Sequence, residues 1–169
     1  ICPYEIDIVV PSCKLAIECD GLYWHSFCDQ NTEDKNYHLI KTNGCEKVGY
    51  RLLHIFENEW KDENKKEIIK SKLSHLLGGT ALKVFARKCN TCELPGDTSK
   101  DFFDTSHVSG HRSALVTYGL IYMNDLVAAM SFSRSGGGWE IIRYAVKLRT
   151  SVAGGFTRLL TKFVNDFNS

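Results

Sequence analysis

The chain has 169 residues, of which 43% are hydrophobic, and its formal net charge is +1. This length suffices for one or two small hydrophobic cores, and no apolar run reaches the roughly 20 residues that a membrane span requires. The seven cysteines are odd in number and scattered, which favours reduced thiols in a cytoplasm over a disulfide framework. The sequence therefore predicts a cytoplasmic protein with no membrane segment and no signal peptide.

The first predicted elements are two short strands within residues 5–20. Apolar and polar residues alternate in IDIVV and again in KLAIECD, as they do in strands with one face against a core. The Pro11-Ser12 pair between them predicts a turn. Because side chains on a strand alternate between two faces, the other face of each strand carries carboxylates. These are Glu5 and Asp7 on the first strand and Glu18 and Asp20 on the second.

The four carboxylates are expected to converge, and their convergence predicts a divalent metal site. Like charges at close range repel by kilocalories per mole unless a proton or a cation lies among them, and oxygen ligands suit Mg²⁺ or Mn²⁺. Such an ion activates water and neutralises charge on a phosphate, while His25 is placed to move the proton. The grouping thus predicts phosphodiester hydrolysis. The alternative is a strand pair whose acids simply face water.

The segment DGLYWH after the acidic strand resembles the very-short-patch-repair endonuclease branch of the PD-(D/E)XK nucleases. The closer match is to phage and intein homing endonucleases of the EDxHD type. This resemblance implies that Asp7 binds a metal ion, that Cys19 lends it a main-chain carbonyl and that His25 is the catalytic histidine. It implies further site acids, namely Glu5, Glu18 and Asp20. The implied substrate is double-stranded DNA.

Two departures from the family's pattern bear on the expected chemistry. The lysine of a full (D/E)xK signature is absent, since the acid Asp20 stands in its place. His25 is therefore the residue expected to transfer the proton. The structural zinc ligands of the repair enzymes are also missing, because Leu22 stands where a cysteine would be needed. Cys28 alone cannot hold zinc. The expected cofactor is therefore Mg²⁺ or Mn²⁺ rather than zinc.

Residues 34–48 repeat apolar or aromatic positions at helical spacing and stop at Gly49, which predicts a helix ended by a glycine. Its predicted inward side chains are Tyr37, Ile40, Cys45 and Val48. The buried strand RLLHIF follows, and the order strand, helix, strand predicts that this strand lies parallel in the same sheet. His38 and Lys41 share one helical face, which either reaches the site or a phosphate or is a solvated surface. His54 is predicted to be packed or supporting rather than catalytic.

A further helical region opens at Glu57, and KDENKKEIIKSKLSHLL has an amphipathic pattern. Its predicted inward residues are Ile68, Ile69, Leu73, Leu76 and Leu77. Two glycines then predict a domain boundary, with a nuclease domain in residues 1–78 and a second domain in residues 79–169. Because the chain begins at Ile1 before a strand and stops at Ser169 after a helix, we expect the first domain to be truncated N-terminally and the second C-terminally.

The second domain is predicted to hold the strand LKVFAR, the helix KDFFDTSH and two strands joined by an Asn124-Asp125 hairpin turn. The strand WEIIRYAV, a glycine-rich link SVAGG and the helix FTRLLTKFVNDF follow. Leu159, Leu160 and Phe163 are the apolar stripe of that last helix.

This order of elements resembles the GNAT acyltransferase fold and its relative, the phage Mom-type DNA-modification protein. The resemblance implies that main-chain N–H groups of the loop before the last helix hold the pyrophosphate of acetyl-CoA. Gly154 and Gly155 would do so, with Arg149 or Arg158 assisting. Alternatively, the glycine pair is only a tight turn. We favour a catalytically degenerate module that helps to bind DNA.

Cys89 and Cys92 have the CxxC spacing of zinc ribbons, with His107 and His111 as downstream candidates. A helix and a glycine between the two histidines, with no ribbon-like turns, disfavour zinc. Residues 136–138 are all glycine and predict a hairpin tip, since no helix follows them.

Charge is unevenly distributed: residues 1–78 carry a formal −3 and residues 79–169 a formal +4. The second half is therefore expected to make the electrostatic contacts with DNA. The sequence predicts an α/β (α+β) protein, with a restriction-endonuclease-like mixed sheet flanked by helices and then a partial GNAT-like domain. The predicted function is a metal-dependent endonuclease of phage or mobile-element type, acting in a bacterial or phage-infected cell. The alternatives are an acyl- or nucleobase-modifying transferase that uses the first half to bind DNA, and a DNA-binding remnant without activity.

Overall fold

The computed structural model describes residues 5–21, 37–80 and 82–167. These residues form a mixed α+β fold with nine strands and five α-helices, in which three sheets are flanked by helices. The chain divides into two compact units, Ile1–Lys66 and Glu67–Ser169. This division precedes the boundary predicted between residues 78 and 79, because Glu67 and Ser71 both contact Arg149 of the second unit.

The first unit contains a three-stranded sheet made of β1 (Ile8–Val10), β2 (Leu15–Asp20) and β3 (Arg51–Phe56). β1 pairs antiparallel with β2, and the two are joined by a 3-10 turn at Pro11–Cys13, where the sequence predicts a turn. β3 pairs parallel with β2, which confirms the prediction from the strand, helix, strand order. The central strand β2 therefore ends beside the end of β3.

The burial of β2 departs from simple alternation. Leu15, Ala16 and Ile17 are all buried, because β2 is the middle strand and both of its faces are covered at this end. At the other end the exposed residue is Cys19, whereas Asp20 is buried. The expectation that Cys19 points into an apolar core is therefore wrong.

Helix α1 (Tyr37–Lys47) follows the predicted position and ends before Gly49, whose φ of 79° is left-handed. Its predicted inward face is wrong: Ile40 and Val48 are exposed. Cys45 is fully buried as predicted, and the side chain buried one turn before it is Lys41. This side of the helix faces the sheet because the Lys41 ammonium pairs with the Glu18 carboxylate on β2. The side chain of Tyr37 lies outside the described residues.

Two helices follow, α2 (Glu57–Lys61) and α3 (Glu63–Leu76). Ile68 and Ile69 on α3 are buried as predicted, whereas Leu77 just beyond the helix is exposed. No helix in the described part of the chain is both long and apolar enough to cross a membrane.

The second unit has a four-stranded antiparallel sheet and a two-stranded parallel sheet. The antiparallel sheet consists, in spatial order, of β5 (Asn90–Glu93), β6 (Val116–Tyr122), β7 (Asp125–Ser135) and β8 (Gly138–Val146). The parallel pair consists of β4 (Leu82–Phe85) and β9 (Thr150–Ala153). The helices are α4 (Gly96–Ser106) and α5 (Gly155–Phe167). The apolar stripe of α5 packs as predicted, with Leu159 and Phe163 buried and Leu160 against them.

Three details of this unit differ from the sequence-based expectation. The β6–β7 loop is Met123-Asn124, one residue earlier than predicted, and both residues have positive φ. The predicted link SVAGG contributes its first three residues to β9, which pairs with β4. The short polar strand β5 was not predicted. The glycine stretch does form the predicted hairpin tip between β7 and β8.

Candidate functional site

The C-terminal end of β2 gathers charged side chains. Glu18 and Asp20 lie two residues apart on this strand and so share one face. That face is covered by α1, which sends Lys41 to Glu18 and His38 to Asp20. The two carboxylates therefore face a helix, and the alternative in which the strand acids simply face water does not hold for them.

Lys41 bridges two parts of the site. Its ammonium donates hydrogen bonds to Glu18 Oε1 and, at 3.1 Å, to the main-chain carbonyl of Glu5. The side chains of Lys41 and Glu18 are only 5% and 13% exposed, so this ion pair is largely shielded from solvent. The other carboxylate oxygen of Glu18, Oε2, is buried and has no hydrogen-bond partner among the described residues.

Asp20 lies between two imidazoles and is itself only 6% exposed at its side chain. Its Oδ2 lies 2.8 Å from Nδ1 of His54, and its Oδ1 lies 3.4 Å from Nδ1 of His38. The two rings are perpendicular, with centroids 5.0 Å apart. In the described residues, these three side chains are the group whose ligand atoms all fall within 4.8 Å of one another, as a shared metal ion requires.

Thr42 contacts both histidines of this group. Its hydroxyl donates to the carbonyl oxygen of His38, one helical turn earlier, at 2.8 Å, and its Oγ1 also lies 3.2 Å from Nε2 of His54. Thr42 thus ties α1 to β3 beside Asp20.

Asp7 joins the site from the segment just before β1. Its Oδ2 accepts a hydrogen bond of 2.8 Å from the main-chain N–H of Cys19. Partial burial, and then the charges of Asp7, Asp20 and Glu18, raise the pKa of the Cys19 thiol. Three of the four predicted acids thus lie near Cys19, whereas the group of ligand atoms within 4.8 Å of one another joins Asp20 to two histidines. The convergence of four carboxylates on one metal ion stays a prediction. Glu5 is exposed and contributes its main-chain carbonyl instead of its carboxylate.

The remaining predicted residues of the nuclease site fall in two groups. His38 and Lys41 contact Asp20 and Glu18, so their face of α1 is not simply a solvated surface, and a contact with phosphate stays a prediction. His25, Leu22 and Cys28 lie outside the described residues, and the catalytic role of His25 stays a prediction. The carbonyl role of Cys19 also stays a prediction, since the contact seen here is made by its N–H.

His54 and Thr42 belong to the site, although sequence reasoning gave His54 a supporting role and did not single out Thr42. The signal was a histidine within the apolar run RLLHIF, on a strand that pairs parallel with the acidic strand. In the register of the two strands His54 stands opposite Glu18, so the two side chains share a face. A polar residue in a buried strand beside a carboxylate is the kind of signal that marks such a site.

The glycine pair of the second unit forms a tight turn between β9 and α5. Gly154 has a left-handed φ of 76°, and a side chain on Gly155 would come within 2.9 Å of the Tyr144 hydroxyl. Arg158 donates to the carbonyl of Cys89 at 3.0 Å, next to a surface cavity of about 440 Å³. Packing alone therefore accounts for the glycine at position 155. Arg149 is exposed and contacts Glu67 and Ser71.

Cys89 of the CxxC pair and the downstream His107 have structural partners. Cys89 is buried with its thiol 3.7 Å from the carbonyl of Phe85, and burial raises its pKa. His107 accepts a hydrogen bond from the N–H of Ser109, and burial followed by nearby positive charges lowers its pKa.

Comparisons of this chain with protein-family models, with curated proteins and with solved structures give no match. The two family resemblances therefore stay predictions, and the case for function rests on the geometry of the site.

Proposed function

We propose that the first unit is a metal-dependent endonuclease that hydrolyses phosphodiester bonds in double-stranded DNA. The observation that carries this proposal is the end of β2, where Asp20 and Glu18 share one face of the strand and the buried Oε2 of Glu18 has no hydrogen-bond partner among the described residues. A buried carboxylate oxygen without a donor is costly, and a divalent cation is the partner that its chemistry suits.

The cost of burying these charges also supports a functional role. Moving an ion out of water costs several kcal/mol even after the protein relaxes, and a fold of this kind does not need buried ions to form a core. Asp20 and Lys41 are nevertheless both buried. Charges that the core does not require are typical of sites that bind or react.

The residues present fit the chemistry of phosphodiester hydrolysis. A divalent ion held at the end of β2, with Asp20 among its ligands, would polarise the phosphate and supply an activated water. Lys41 neutralises the charge of Glu18 beside the proposed ion. It places an ammonium group next to the strand acids, although the strand motif itself has no lysine. Asp7, hydrogen-bonded to Cys19, adds a third carboxylate, and the predicted proton carrier is His25.

The proposed partner and location follow from charge and composition. Residues 79–169 carry a net charge of +4, which favours contact with the DNA backbone. We infer that the protein acts in the cytoplasm of a bacterial or phage-infected cell, as a homing-type nuclease of a phage or mobile element.

A plasmid-nicking assay tests the proposal. Supercoiled plasmid is incubated with the full chain and Mg²⁺ or Mn²⁺, with EDTA as the metal-free control. We expect metal-dependent nicking that falls by about 100-fold or more in Asp7→Asn and in His25→Ala. Asp101→Asn, which alters an exposed acid on α4, is the matched control and should cleave normally. Full activity of both site variants, or no cleavage with any metal, would overturn the proposal.

A further inference from the structure

The hydrogen bonds of Thr42 determine where His54 carries its proton. A threonine hydroxyl has one hydrogen to donate, and Thr42 donates it to the carbonyl of His38. The contact of 3.2 Å between Thr42 Oγ1 and His54 Nε2 therefore has the imidazole as donor. Neutral His54 then has its hydrogen on Nε2 and a lone pair on Nδ1.

That lone pair faces a carboxylate. Nδ1 of His54 lies 2.8 Å from Oδ2 of Asp20, in a site where the Asp20 side chain is 6% exposed. Two acceptors cannot approach this closely in a buried site unless a cation lies between them. A proton shared between the two groups or a metal ion meets this requirement.

The second imidazole favours a metal ion at this position. Nδ1 of His38 lies 3.4 Å from the other oxygen of Asp20, and the two rings stand perpendicular around the carboxylate. Metal bonds to histidine nitrogen and carboxylate oxygen of about 2.0–2.2 Å place neighbouring ligand atoms roughly 3 Å apart. The separations of 2.8 and 3.4 Å match this spacing, and one metal ion would account for the approach of both imidazoles to Asp20.

We propose that Asp20, His38 and His54 form a two-nitrogen, one-oxygen site for a transition-metal dication such as Zn²⁺, Co²⁺ or Mn²⁺, in preference to Mg²⁺. Imidazole nitrogen is a good ligand for transition metals, whereas Mg²⁺ favours oxygen ligands and retains its waters. Thr42 is a positioning residue, because its acceptance of the Nε2 hydrogen aims the Nδ1 lone pair of His54 at the ion.

This site deepens the proposed function, since it replaces an all-oxygen magnesium site with one that uses two histidines. The role of the ion in DNA cleavage rests on the proposed function, whereas its binding does not.

A titration of the metal-free full chain with Co²⁺, followed by visible absorption, tests the proposal. We expect one equivalent of Co²⁺ to give ligand-field bands typical of nitrogen and oxygen coordination, and Zn²⁺ to displace it. An excess of Mg²⁺ should leave the bands in place. His38→Ala and His54→Ala should abolish them, and Thr42→Val, which keeps all three ligands, should weaken binding by about 10- to 100-fold.

His75→Ala is the matched control, because His75 is an exposed histidine on α3 whose Nδ1 contacts Thr80. It should bind Co²⁺ as the parent chain does. Circular dichroism of each variant checks that it is folded, and Thr42→Val keeps the test decisive where a histidine variant does not fold. Absence of Co²⁺ and Zn²⁺ binding, or binding unchanged by Thr42→Val and by both histidine variants, would overturn the proposal. Histidine-dependent binding without plasmid cleavage would support the metal site and count against the nuclease. Plasmid cleavage without histidine-dependent binding would support the nuclease and count against the metal site.

Discussion

The two units of this protein differ in the polar groups that they bury. Among the described residues, the buried polar side chains of the first unit are charged, namely Asp20 and Lys41. Those of the second unit are neutral hydroxyls, namely Ser99, Thr117 and Ser131. Ser99 and Thr117 hydrogen-bond to each other at 3.2 Å, at a cost that a normal core tolerates.

Under the proposed function, this difference means that the first unit has given up stability for chemistry. The second unit has a large apolar core, in which Phe132 stacks on Phe163 with ring centroids 3.8 Å apart. The stability of this unit depends on how closely the side chains of its core pack. The first unit places an ion pair and a carboxylate between two imidazoles where apolar side chains would be more stable.

The largest effect on stability is expected from Lys41→Met. The substitution leaves the Glu18 carboxylate, 13% exposed, without its cation, and breaking a buried pair from one side costs about 3–5 kcal/mol. Hydrogen exchange of the β2 and β3 amides measures this loss in the first unit. The matched control is Lys61→Met, since Lys61 pairs with Glu57 but is 71% exposed, and its cost should stay below about 1 kcal/mol.

The double variant Lys41→Met/Glu18→Leu sharpens the same contrast. Replacing both members of a buried pair with apolar residues is often neutral or stabilising. Most of the lost stability should therefore return, while plasmid cleavage should not. Equal costs for the Lys41 and Lys61 variants, or a double variant that cleaves normally, would contradict the account.

A smaller effect is expected from Gly155→Ala in the second unit. Its new Cβ would lie 2.9 Å from the Tyr144 hydroxyl and 3.1 Å from Val152 Cγ1, and overpacking of this kind costs about 1–3 kcal/mol. Thermal unfolding followed by circular dichroism reports it. Gly96→Ala, at the start of α4 with open space around it, should be neutral or slightly stabilising. The contrast fails if both alanine variants unfold at the same temperature.

The smallest effect is a pH dependence at the surface of the second unit. Lys162 and then the Tyr118 hydroxyl, which donates to Asp166 at 2.5 Å, lower the pKa of Asp166. A lowered pKa adds stability that is present above the unfolded value of about 3.9 and is lost as the pH falls toward the folded value. Asp166→Asn should therefore lower the Tm near neutral pH, and the gap to the parent chain should narrow below about pH 4. Tyr118→Phe removes one of the two causes of the lowered pKa of Asp166, so the Tm difference between this variant and the parent chain should change less with pH. A Tm difference that does not depend on pH would contradict this.

Sequence patterns predicted the elements whose signals are local. The β2–α1–β3 order gave the parallel pair, Gly49 marked the end of α1, and turn residues marked both hairpins of the second unit. β5 and β9 were missed because they are short, and β9 forms through pairing with the distant β4. Such pairing leaves little trace in a local pattern.

The inward face of α1 was wrong for a related reason. Apolar spacing pointed to Ile40 and Val48, but the partner that orients the helix is a carboxylate on β2, which draws Lys41 inward. Reasoning from the strands singled out Asp7, Glu18 and Asp20, and the i, i+2 spacing of Glu18 and Asp20 does place them on one face of β2. It left His54 with a supporting role, because its place beside Asp20 depends on the register of β2 and β3.

The most direct test of the central claim is the plasmid-nicking rate of Asp20→Asn against that of Asp101→Asn, with Mn²⁺ and with both variants confirmed to be folded. Asp20 is the one carboxylate that the predicted acidic site and the observed histidine group share. We expect the Asp20 variant to lose at least about 100-fold in rate and the Asp101 variant to match the parent chain. Equal rates for the two variants would show that the buried charges of the first unit serve another purpose.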